Sequence, residues 1–267
     1  MAAPDEAAPR GSPAFCDAFS DPGTGRKENE DACGTYVEGD THVLVAVADG
    51  VSGEEGAAIA SRTAIDVTLR AYRKSPAEWG PSKRLYRAVQ QANIEIHDRA
   101  LVVTELRRMA TTLTAIVVQD HTVHAAHVGD TRLYSVRGGE IVRRTKDHNL
   151  ARRRRTVAGK QKDDPARSML TRSLGRDLIV AVDRLTFPVV RGDILVVCSD
   201  GLYTVLDDAE IRDIVMVHDP STACRALVEA ANARGTPDNV TAAVAQVTAD
   251  APVTPPGAWR RFLSRLR

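Results

Sequence analysis

The sequence predicts an α+β fold in which antiparallel sheets carry their helices in segregated pairs. Two observations point there first. Residues 43–53 and 194–201 are apolar runs rich in β-branched residues, and each contains or ends in Asp-Gly. Continuous apolar runs of this length read as strands buried on both faces. Residues 111–144 add a succession of short strand patterns, and the helical patterns come in pairs instead of alternating with strands. An ionised aspartate at the tip of a buried strand is costly without a partner. Two such tips suggest two carboxylates converging on one cation. The glycine after each lets the backbone turn and come close to whatever the carboxylate holds.

The elements follow in order. Residues 1–13 are rich in Ala and Pro and read as a disordered N-terminal segment. Residues 15–20 fit a first strand, and residues 21–31 form a turn-rich loop holding Arg26, Glu30 and Asp31. Segments 33–37 and 42–48 make a hairpin. Residues 54–73 read as a helix with Ile59, Thr63, Val67 and Ala71 on one face, Ser52 as N-cap and Glu55 three residues on. Residues 82–106 carry a second amphipathic helix through Leu85, Ala88, Val89, Ala92 and Ile96. Strands at 111–119, 122–128, 132–136 and 141–144 follow, the last two joined by Arg137-Gly-Gly-Glu140.

Residues 145–168 are polar and irregular, with four arginines at 152–155. Strands at 178–187 and 193–199, helices at 207–217 and 219–233, and a strand at 239–248 complete the pattern. No internal boundary interrupts it, so residues 14–249 read as one domain. Residues 250–267 are a linker and a small basic helix, with Trp259, Phe262, Leu263 and Leu266 on one face and arginines elsewhere. Such a helix suits docking to a partner or an anionic membrane surface.

Bulk properties narrow the function. A formal charge of +1 supplies no global field for nucleic acid. No apolar run approaches the ~20 residues of a membrane span, and the N-terminus lacks a signal-peptide pattern. Cys16, Cys33, Cys198 and Cys224 have no Cys-x-x-Cys spacing, so reduced thiols in a cytoplasmic protein are expected.

Asp49, Asp130, Asp200 and Asp238 occupy strand ends or turns, and Glu30 and Asp31 lie in the first loop. Oxygen donors without His or Cys favour Mg²⁺ or Mn²⁺ over zinc. Spread carboxylates of this kind suit a pair of ions that activates water and clamps an in-line displacement. Arg26, four residues before Glu30, is the candidate phosphate ligand, because its planar fork grips two oxygens. Each residue alone has a plainer reading as a turn or a solvated charge. The set and its order carry the signal.

These residues lie in seven motifs: Gly25-Arg-Lys-Glu-Asn-Glu-Asp-Ala32, Val47-Ala-Asp-Gly-Val-Ser-Gly53, Ala110-Thr-Thr-Leu, Val128-Gly-Asp-Thr-Arg132, Leu170-Thr-Arg-Ser-Leu-Gly175, Cys198-Ser-Asp-Gly-Leu202 and Thr236-Pro-Asp-Asn-Val240. In this order, over residues 14–249, the chain resembles the metal-dependent serine/threonine phosphatases of the protein phosphatase 2C family, in its bacterial-type branch. The resemblance implies a four-layer α-β-β-α sandwich of two antiparallel sheets flanked by helices. It implies two Mn²⁺ or Mg²⁺ ions bridged by Asp49, with the Gly50 carbonyl on one ion and Asp200 and Asp238 on the other. Glu30 and Asp31 would hold metal-bound waters, and Asp130 with Asp200 would form a third, weaker site. Arg26 would bind the substrate phosphate, and Asn239 would be a hydrogen-bond partner beside the ligands.

The implied reaction is hydrolysis of phosphoserine or phosphothreonine in proteins by a metal-bridging hydroxide, without a phosphoenzyme. A monomer is expected, along with a cognate serine/threonine kinase acting on the same proteins. Val51 departs from the histidine common in eukaryotic members and cannot protonate a leaving alcohol. The arginine-rich stretch before Leu170 corresponds to the family's flap and lacks the usual acidic helical pattern. Two other readings are a non-catalytic phosphoprotein-binding module, which would lack one of the core aspartates, and a two-metal hydrolase of nucleotides or small metabolites.

Overall fold

The computed structural model describes residues 12–51, 56–76, 78–149 and 169–248. Ten strands form two five-stranded sheets, in which all the strand pairs are antiparallel. One sheet combines β1 (Ala14–Asp21), β10 (Val240–Val247), β9 (Ile194–Cys198), β6 (Arg132–Arg137) and β7 (Glu140–Arg143), in that order. The other runs β2 (Asp31–Glu38), β3 (His42–Asp49), β4 (Leu113–Gln119), β5 (Thr122–Val128) and β8 (Asp183–Pro188).

The apolar runs are explained by layering. Alternate residues of a strand face opposite sides of its sheet. Val43, Val45 and Val47 of β3 meet Leu195, Val197, Ala243 and Ala245 between the sheets. Leu44, Ala46 and Ala48 face outward and pack beneath α1 (Ala57–Lys74) and α2 (Pro81–Val102). On the other side, Val196, Cys198, Ala242 and Val244 pack beneath α4 (Asp208–Val217) and α5 (Pro220–Ala233). Strands β3 and β9 are thus covered on both faces, as their composition requires, and the fold is the four-layer sandwich.

Several boundaries differ from expectation, each for a local reason. Helix α1 begins at Ala57, after Gly56 at φ 81°. A Cβ on Gly56 would lie 2.6 Å from a Leu106 methyl, so the helix entry is set by close packing there. The expected Ser52 cap with Glu55 falls outside the described residues. So do residues 1–11, the arginines at 152–155 and most of the flap stretch, and the helix around Trp259. Ser12 and Pro13 already belong to the sandwich, since their carbonyls accept from the Thr248 hydroxyl (2.5 Å) and amide (3.0 Å). Helix α2 stops at Val102, and a 3₁₀ turn, Thr104–Leu106, follows.

Strand β8 starts at Asp183, five residues late. Upstream, the Asn93 amide of α2 donates to the carbonyls of Asp177 and Leu178, and Gln90 donates to that of Val180. Those bonds tie the segment to the helix. A short helical turn, α3 (Asp200–Tyr203), follows β9, in a stretch to which the sequence pattern assigns no element.

One buried ion pair fastens the helical layer to the β2 edge. Arg84, 4 % exposed, donates to both Glu38 oxygens at 3.0 and 3.1 Å and to the Tyr72 carbonyl at 3.0 Å. Arg84's hydrogen bonds hold the Glu38 carboxyl below its usual value of 4.5. A depressed folded pKa adds stability above the unfolded pKa, and this is lost as pH falls through the folded value. Glu38→Gln should therefore cost about 1–3 kcal/mol at neutral pH, less than a fully buried pair would. In denaturant titrations the gap from wild type should narrow as pH falls below 4.5 and close once it is below the depressed Glu38 value. A gap that persists there would contradict this role.

Candidate active site

The strand order brings one end of each sheet together, and the singled-out acids lie there. Asp31 opens β2 directly opposite Asp49, the last residue of β3. Asp130 sits in the turn between β5 and β6, Asp200 begins α3 after β9, and Asp238 precedes β10. Burial, then repulsion from Asp31, Asp200, Asp130 and Asp238, pushes the Asp49 carboxyl well above the ordinary range. Asp200 is raised in the same way, by burial and then by Asp130, Asp238 and Asp31, and Arg26 partly offsets this. Asp130 is pushed up to about 6 by burial and by Asp147. Five carboxylates thus feel one another across a single end of the sandwich.

The two Asp-Gly glycines serve close approach, not a left-handed turn. Neither Gly50 nor Gly201 has positive φ. A Cβ on Gly50 would lie 2.7 Å from the Glu30 carbonyl oxygen, and one on Gly201 would lie 2.0 Å from that of Asn239. Any side chain would push apart the backbones that carry the acids.

Asp31 and Glu30 differ in setting. Asp31 is buried, and one of its oxygens accepts from the Ser199 and Thr241 hydroxyls, both at 2.7 Å. Burial raises its carboxyl to about 6 despite those donors. Glu30 is half-buried and lies 3.8 Å from Arg26. Arg26 also donates to Asp238 at 2.9 Å, which puts its guanidinium at the rim of the acid cluster.

Asn239 is a clasp. Its oxygen accepts from the Glu30 amide at 2.9 Å, and its NH₂ donates to the carbonyls of Pro22 (2.8 Å) and Glu28 (2.9 Å). One buried side chain therefore holds the loop that carries Arg26 against the start of β10.

Sequence reasoning missed the hydroxyls. Ser199 and Thr241 grip Asp31. Thr112 Oγ1 accepts from the Asp49 N–H at 3.0 Å. Thr111 donates to the Asp49 carbonyl at 2.8 Å. The Tyr203 hydroxyl donates to the Asp130 carbonyl at 3.0 Å. The motif Ala110-Thr-Thr-Leu was legible, but only strand pairing reveals what its hydroxyls touch.

The acids of this cluster offer oxygen donors, and Arg26 and Arg132 bring positive charge to Asp200 and Asp130 respectively. Among the described residues, no group of three or more His, Cys, Asp or Glu side chains is arranged to hold a metal ion unaided. Hard cations commonly complete their shells with backbone carbonyl, water or substrate oxygens.

Residues 25–244 match the family model described as Protein phosphatase 2C. The chain belongs to the protein phosphatase 2C family. It is 30 % identical to the serine/threonine phosphatase stp of Listeria innocua over 230 residues, which cover 83 % of this chain and 91 % of that protein. It is 32 % identical to the serine/threonine protein phosphatase PstP of Mycobacterium tuberculosis, covering 86 % of this chain and 44 % of the longer relative. A crystal structure of the M. tuberculosis phosphatase PstP/Ppp superposes with a TM-score of 0.76 at 28 % identity, covering 88 % of this chain and 99 % of that one. The catalytic domain of a PstP has been solved in complex with two manganese ions; it aligns at 27 % identity and TM-score 0.73, covering 88 % of this chain and 98 % of that one. Val51, next to Gly50, carries no ionisable group; its amide donates to the Ala110 carbonyl at 3.0 Å.

Because Asn239 makes three bonds to one loop, Asn239→Ala should loosen that loop first. Hydrogen exchange at the Glu30 amide should speed up, and phosphatase turnover should fall roughly 10–100-fold. Unchanged exchange at Glu30 would contradict the clasp.

Proposed function

We propose that this serine/threonine protein phosphatase hydrolyses phosphoserine and phosphothreonine in proteins by direct, in-line attack of water, without a phosphoenzyme. The observation that carries the reading is the crowding of Asp31, Asp49, Asp130, Asp200 and Asp238; burial and neighbouring carboxylates raise the pKa of Asp31, Asp49, Asp130 and Asp200. Such a cluster is unfavourable by itself and becomes favourable around divalent cations. The all-oxygen donor set fits Mn²⁺ or Mg²⁺.

In this reading Asp49, the Gly50 carbonyl, Asp200 and Asp238 would hold two divalent cations, and Asp130 with Asp200 would hold a third more weakly. Glu30 and Asp31 support the set through water. When bound, the ions would offset the phosphate charge, lower the pKa of the attacking water and steady the leaving oxygen.

The chain's own residues do the rest. Arg26 offers a planar pair of donors to the substrate phosphate and orients it at the rim. Asn239 fixes the Arg26 loop, and Thr111 and Thr112 fix the backbone of Asp49. Protonation of the departing serine or threonine oxygen falls to solvent at the site, because Val51 has no proton to give. Residues 14–249 form the catalytic unit, and phosphorylated proteins are its substrates.

Asp49→Asn or Asp200→Asn should abolish release of phosphate from a phosphothreonine peptide in Mn²⁺ and leave far-ultraviolet circular dichroism unchanged. A folded variant with near-normal turnover would overturn the ligand assignment. Arg26→Ala should raise KM more than it lowers kcat, because the guanidinium binds phosphate before and during the displacement.

A further inference from the structure

Beside the reaction site lies a second cavity whose walls are basic. It has a volume of about 290 Å³, and the described residues that line it are Arg107, Arg108, Met109 and Arg176. An adjoining cavity shares Arg107 and Arg176 and adds His97 and Leu101. All three arginines are exposed, and neither Arg107 nor Arg176 forms an ion pair with a described residue. The reaction described above uses none of them.

The backbone under these side chains is tightly built. Met109 is 1 % exposed, and its amide donates to the Leu106 carbonyl at 2.9 Å. The opposite wall turns at Gly175 (φ 90°), whose amide donates to Asn93 of α2 at 2.9 Å. A Cβ there would lie 2.3 Å from an Ile96 methyl, so only glycine brings Arg176 to this position. Thr111 and Leu174 exchange two backbone hydrogen bonds, at 3.2 and 2.7 Å, and so join the two walls.

The same Thr111 donates through its hydroxyl to the Asp49 carbonyl. The basic cavity and the acid cluster are therefore tied to one residue. Arg108 is three residues from Thr111, at most about 11 Å along the chain. The two sites are thus close enough for one bound peptide to reach both.

We propose that Arg107, Arg108 and Arg176 form a second phosphate-binding pocket that grips another phosphoryl group on the same substrate protein, a few residues from the one hydrolysed. Three guanidinium groups in one cavity match a group carrying close to two negative charges better than a single carboxylate. Their planar forks match phosphate oxygens. The proposal rests on the phosphatase reading and names the substrate class that the site favours, clustered phosphosites.

The test uses the full chain with Mn²⁺ and three peptides that share one phosphothreonine. One has no second charge, one carries a non-hydrolysable phosphonate analogue of phosphothreonine four residues away, and one carries aspartate there. The phosphonate peptide should show a kcat/KM roughly tenfold higher, mostly through KM. The triple variant R107A/R108A/R176A should lose that gain and still hydrolyse the singly phosphorylated peptide and p-nitrophenyl phosphate normally. No gain in wild type, or a gain that survives in the variant, would overturn the pocket. An equal gain from aspartate would overturn its assignment to phosphate, and a matching loss on p-nitrophenyl phosphate would overturn its separateness from the reaction site. Absence of metal-dependent release from every substrate would instead count against the phosphatase reading itself.

Discussion

Mutual repulsion among buried carboxylates is the constraint on which the rest of the structure depends. Asp31, Asp49 and Asp200 crowd one end of the sandwich, with Asp130 and Asp238 beside them, and burial and repulsion raise the carboxyls of Asp31, Asp49 and Asp200. A fold can hold such a cluster only if its backbone is fixed by interactions elsewhere. The sheets do this. Six strands, packed on both faces or paired on both edges, end or begin within a few residues of an acid.

The polar groups around the acids serve the same purpose. Thr111 and Thr112 bond both backbone groups of Asp49, Ser199 and Thr241 fix the Asp31 carboxyl, and Tyr203 bonds the Asp130 carbonyl. Gly50 and Gly201 let neighbouring backbones pass close enough to bring the acids together. Function and stability oppose each other here: the arrangement that suits divalent cations is unfavourable without them.

Much of this was legible in the sequence, and for identifiable reasons. The runs ending at Asp49 and before Asp200 look alike because both strands are buried on two faces. The Gly138-Gly139 hairpin was legible because both glycines take positive φ there. What the sequence could not give was the partner of each polar group. Ser199 and Thr241 lie far from Asp31 in the chain, and only the pairing of β10 with β9 brings the two hydroxyls together. Asn239 looked like a neighbour of the ligands and proved to hold the loop of Arg26. Glu30 and Asp31 looked equivalent, yet one faces Arg26 and the other is sealed under two hydroxyls. The start of α1 and the delayed start of β8 depend on tertiary contacts with Leu106 and Asn93, which local propensity does not encode.

The most direct test of the central claim is thermal unfolding of wild type and Asp49→Asn, each in EDTA and in saturating Mn²⁺. If carboxylate repulsion is the dominant strain, removing one charge should make the variant more stable than wild type in EDTA. Saturating Mn²⁺ should reverse that order, because only wild type then has the full set of oxygen charges to bind the ions. A variant less stable than wild type in EDTA, with no differential response to Mn²⁺, would contradict the account.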